Sequence, residues 1–135
     1  RNIGRFYQGM NVVNGLRIIA GLIGLLFFIS GLQWIINPNE ISDSLGMPLL
    51  SGLGLSTQIG DMGSFFITVG AMTLIGVYTK ISHWFYAPSM LLLVAALYRT
   101  FSTLFYGAPF ATEQIVIEVI VGTFLLYVSS RIREA

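Results

Sequence analysis

Residues 12–36 read VVNGLRIIAGLIGLLFFISGLQWII, and this stretch decides the solvent in which the chain folds. About 20 apolar residues, rising 1.5 Å each, cross a bilayer core of about 30 Å. The run is longer than the roughly 7 to 15 residue core of a signal peptide, and no small-residue cleavage pattern follows it. We read it as a first transmembrane helix. Asn37, Pro38 and Asn39 end it, because proline cannot donate to the helical ladder and disfavours a helical residue before it.

Three further runs of the same kind follow. The second crossing covers about 60–79 (GDMGSFFITVGAMTLIGVYT), and only Lys80, Ile81, Ser82 and His83 separate it from a third at about 84–105. So short a connection requires the two to return side by side as a hairpin. Pro88 is tolerated in the first turn of the third crossing, and Gly107, Ala108 and Pro109 end it. The fourth covers about 112–130, where Thr112 is placed to cap and Glu113 sits at the positive end of the helix dipole. Between the first two crossings, residues 40–59 read as a Gly, Ser and Leu-rich loop holding a short interfacial helix near 40–45. The expected fold is all-α: one integral membrane unit over 1–135, an antiparallel four-helix bundle with both termini on the cytoplasmic face.

Composition agrees with the pattern. The chain is 55% hydrophobic and 10% charged, whereas soluble domains average roughly 25% charged residues. Four crossings use most of the length, which leaves no room for a separate soluble domain. With a net charge of +1 and no basic run, a nucleic-acid partner is not expected. The absence of cysteine removes disulfides, thiolate metal sites and thiol redox chemistry. His83 stands alone in the second turn, without another His or Cys at ligand spacing, so no metal site and no cofactor are predicted.

Charge sets the orientation. Arg1, Arg5, Arg17, Lys80, Arg131 and Arg133 fall at the termini and at the turn between the second and third crossings, leaving Arg99 on the other side. Positively charged ends face the cytoplasm. Trp34, Tyr78, Trp84 and Tyr127 fall near the ends of crossings, where amphipathic rings anchor a helix at the membrane interface.

Asp61, Arg99 and Glu118 lie inside or at the edge of the apolar segments and, in this topology, on one side. An unpaired charge at such depth costs at least a few kcal/mol, so these groups should turn inward. We expect Arg99 to bond Glu118, Asp61 or both. Such a cluster either lines a polar pocket for a head group, an anion or a proton, or fixes the register of the helices as a buried ion pair. Small residues let backbones approach in lipid, and Gly21, Gly24, Gly31, Gly63, Gly70 and Gly76 are the expected packing positions.

Asn37-Pro38, GDMGSFF at 60–66, LYRTFSTLFYGAP at 97–109 and IEVIVG at 117–122 together resemble a small bacterial membrane family, domain of unknown function 4345, distantly similar to DoxX and DoxD-like four-helix proteins. The resemblance spans about residues 14–130, and Asp61, Arg99 and Glu118 match its acid, arginine and glutamate. Met62 and Gly63 stand where the family pattern has an arginine after the acid. The resemblance implies a four-helix membrane fold in a bacterial inner membrane and no assigned activity. Two functions are expected from the sequence: a non-catalytic accessory subunit among other integral membrane proteins, or a lipid or small lipophilic-molecule binder using the Asp61, Arg99 and Glu118 pocket.

Overall fold

A computed structural model describes residues 2–134, without the side chain of Glu134; Arg1, one of the basic residues counted above, lies outside it. The described chain is helical throughout its elements: α1 (Ile3–Ile36), α2 (Pro38–Ser44), α3 (Gly52–Thr79), a 3-10 turn (Ser82–Phe85), α4 (Tyr86–Tyr106) and α5 (Thr112–Glu134). Four of these helical segments are long and apolar enough to cross a membrane. The molecule is a helical bundle of the membrane-protein kind.

The Asn37-Pro38 pair both ends α1 and starts α2. Asn37 N–H donates to Gln33 O at 2.8 Å, closing α1. The Asn37 side chain then accepts from Glu40 N–H and donates to Glu40 Oε2 at 2.9 Å, with Pro38 in the first turn where its missing donor is harmless. α2 therefore begins two residues before, and ends one before, the 40–45 read from sequence.

Two helices begin earlier than the sequence reading. α1 begins at Ile3 rather than near 12, and α3 begins at Gly52 rather than near 60. In α3 the cause is Gln58, which is buried: its Oε1 accepts from Leu50 N–H at 2.9 Å and its Nε2 donates to Pro48 O at 3.1 Å. That clamp holds the incoming strand of chain against the first turns of the helix, so the glycine-rich segment coils instead of looping. α3 is 28 residues long, about 42 Å, and only about 30 Å of it fits in hydrocarbon. Its first turns project beyond the crossing read from sequence.

Gly107 (φ 68) ends α4 in a left-handed turn, and Ala108 N–H returns to Ser102 O at 3.2 Å. α5 runs on to Glu134, carrying Glu113 in its first turn and Arg131 and Arg133 in its last, each opposite in sign to the helix dipole at that end.

Packing follows two pairs, α1 with α3 and α4 with α5, joined by the 3-10 turn. Along α1 and α3 a Cβ at Gly31 would come within 2.7 Å of Ile67 N, and one at Gly70 would collide with Phe28 N and approach Gly24 O to 2.6 Å. Only glycine permits this approach, and it converts backbone into packing surface. Gly24 faces Thr73 and Leu74, while Gly21 meets Val77 more loosely. Phe85, from the 3-10 turn, is fully buried; its ring would lie 2.8 Å from a Cβ at Gly76. With Ala20, Val69, Leu92, Leu125 and Val128 it forms the core that joins the pairs.

Candidate functional site

Arg99, about two turns before the end of α4, donates from Nε to Glu118 Oε1 at 2.7 Å. Glu118 sits in the second turn of α5. The two side chains are unequally placed: that of Arg99 is 38% exposed and that of Glu118 only 10%. Arginine thus reaches from the helix seam to the outside, while the acid stays within. A single N–H on a single oxygen uses half of a carboxylate, and Glu118 Oε2 is buried without a hydrogen-bond partner. Such an acceptor costs about 1–3 kcal/mol when left unmade. Chemically it is a place for a proton or for one donor.

Asp61 is not part of this arrangement. The sequence reading turned it inward; instead it is exposed, bordering an open recess of about 400 Å³ with Ser64, Phe65, Thr68 and Leu91. Two physical facts account for the difference. α3 presents Asp61 on an exposed face, so its charge is not enclosed by the bundle. Glu118 already meets Arg99, so Asp61 has no charge partner to draw it inward.

Trp34 also departs from the sequence reading. It was expected to anchor an interface, yet it is fully buried, with its Cβ 3.4 Å from where Gly63 would carry one. The missing side chain at Gly63 leaves the groove that the indole fills, and its Nε1 has no hydrogen-bond partner there. Of the other expected anchors, Tyr78 and Tyr127 are exposed and Trp84 is half-buried. His83 is exposed and edge-on to Tyr86. Among the described residues no three His, Cys, Asp or Glu side chains gather into a metal-binding group.

Several polar residues that organise the bundle were not singled out from sequence. Arg17 donates from Nε and Nη2 to Val77 O at 3.1 and 2.7 Å and from Nη1 to Asn14 Oδ1 at 3.3 Å. Val77 O is one of the last carbonyls of α3, which have no helical donor, so a cation from α1 caps α3 and meets the negative end of its dipole. A lone charge within an apolar run was the available signal. Ser89 Oγ donates to Gly122 O at 2.6 Å, and Ser129 Oγ to Ser82 O at 3.0 Å, both buried. Serines are too common in membrane helices for sequence to have marked these.

Comparison with protein families, with curated proteins and with solved structures finds no match. The local geometry therefore carries the functional argument.

Proposed function

We propose that this chain is a non-catalytic accessory subunit that packs laterally against other integral membrane proteins in a larger complex. The observation that carries the reading is that the intramembrane polar group is not gathered into one pocket: Arg99 pairs with Glu118, and Asp61 stands apart. A pocket built from the three is not assembled, and the pair serves the register of α4 against α5. Around it the surface is strongly apolar; only 11% of the most apolar stretch of α1 is buried. Lipid covers such a surface, and so does a neighbouring helix.

The reading includes an antiparallel bundle with both termini cytoplasmic, in a bacterial inner membrane. The order of contacts supports the antiparallel part, since Gly24 meets Gly70 while Gly31, further along α1, meets the earlier Ile67. The positive-inside count supports the orientation.

A second reading, a lipid or small lipophilic-molecule binder in the DoxX style, is favoured by one feature, the unpartnered Glu118 Oε2. A ligand donor reaching that oxygen would complete the site.

Purification of the untagged protein from its own membrane in mild detergent, followed by mass spectrometry of what accompanies it, separates the two. Stoichiometric recovery with larger membrane proteins is the expected result. Recovery alone with a defined small molecule, lost in Glu118→Gln, would replace the first reading by the second.

A further inference from the structure

At the far end of α5 from Glu118, a cleft of about 660 Å³ opens between the first turns of α1, the end of α3 and the last turn of α5. Among the described residues its charged lining is Arg5, Arg17, Lys80 and Arg131, and none of the described lining residues is acidic. Its wall is apolar, with Phe6, Met10 and Ile132 among the lining side chains. Cations over an apolar wall match a ligand that is anionic at one end and hydrocarbon at the other.

The depth of Arg17 suits the phosphate of such a ligand. The uncharged part of α1, from Ile18 to Ile36, is about 28 Å long at 1.5 Å per residue, close to a hydrocarbon core of about 30 Å. Arg17 then marks the edge of the core, and Met10, Phe6 and Arg5 lie about 10 to 18 Å further along the helix, outside the hydrocarbon. Arg17 is held there by Val77 O. Lys80 is exposed and adopts φ 59, a left-handed conformation usually left to glycine or asparagine at a helix end. The fold keeps a cation where glycine would sit with less strain, and that cation lines the cleft.

We propose that this cleft binds the phosphate of an acidic phospholipid at the edge of the core, where Arg17 and Lys80 line it, with Arg5 further out beside the head group. Arginine forks and a lysine point charge are the usual partners of phosphate oxygens, and basic pockets between helices on an anionic leaflet select such head groups. The site needs only that the chain resides in a membrane, and it stands whether or not the accessory reading does.

The test uses the full chain in detergent, offered equal amounts of phosphatidylglycerol and phosphatidylcholine with identical acyl chains, with bound lipid read by native mass spectrometry. Wild type is expected to retain phosphatidylglycerol preferentially. At roughly a fivefold loss per basic residue near an anionic head group, Lys80→Gly should weaken retention about fivefold and Arg5→Gln with Lys80→Gly about thirtyfold. Lys80→Gly should melt no lower than wild type, because it relaxes the backbone, which separates lost binding from lost folding. Arg5→Lys should keep the preference. Equal retention of the two lipids by wild type would overturn the proposal, and so would displacement by soluble glycerol phosphate as effective as by added phosphatidylglycerol, which would make this a site for a free anion.

Discussion

The two helix pairs of this bundle close by different physics. Between α1 and α3 the helices meet backbone to backbone through Gly24, Gly31 and Gly70, and the polar contact is Arg17 on Val77 O at one end. Between α5 and the α4 side of the bundle, including the 3-10 turn that leads into α4, polar bonds recur along the seam: Arg99 to Glu118, Ser89 to Gly122 O, and Ser129 to Ser82 O. In lipid there is little hydrophobic drive for helices to associate, so both devices are needed: backbone-to-backbone approach dominates the first seam, while in the second Gly122 packs on the Leu93 side chain and the bonds add direction. The first should tolerate almost no added volume. The second should tolerate the loss of any one bond.

Volume in the glycine seam is the strongest way to break that comparison. Gly70→Leu forces α1 and α3 apart and should cost about 3 kcal/mol or prevent folding, measured by reversible unfolding in mixed micelles. Next is the ionic latch. Glu118→Ala strands Arg99, but because that arginine is partly exposed the loss should be about 2 kcal/mol, below the 3–5 kcal/mol of a fully buried pair. Replacing both, as Arg99→Met with Glu118→Leu, should recover most of it. Ser89→Ala removes one buried bond and should cost about 1 kcal/mol, within the range for interhelical hydrogen bonds in membranes. Smallest of all, Tyr78→Ala at an exposed position should change stability by less than about 0.5 kcal/mol. If Ser89→Ala proves as damaging as Gly70→Leu, the two seams are not distinct in kind.

What the sequence made legible follows the same division. Apolar length located four helices long enough to cross a membrane, because a bilayer sets how many residues a crossing needs, and small residues marked Gly24, Gly31 and Gly70 as packing positions without saying which helices they join. The ends of helices were less readable: Gly52 to Ile59 looks like a loop until Gln58 is seen clamping Pro48 and Leu50. Rotation about a helix axis was not readable at all. The topology puts Asp61, Arg99 and Glu118 on one side, but which of them faces which depends on how α3 is turned, and α3 turns Asp61 outward. Trp34 has the position of an interface residue and the burial of a core one, a difference set by Gly63 on another helix.

The central claim is a four-crossing bundle with both termini and the turn after α3 on one face of the membrane. The chain has no cysteine, so single cysteines report without background. Gly9→Cys, His83→Cys and Arg133→Cys should be shielded from a membrane-impermeant maleimide added outside intact cells and react only after permeabilisation, whereas Asn39→Cys and Phe110→Cys should react at once. A first group that divides between the two faces, or an Asn39→Cys that labels like Gly9→Cys, would contradict the four-crossing account.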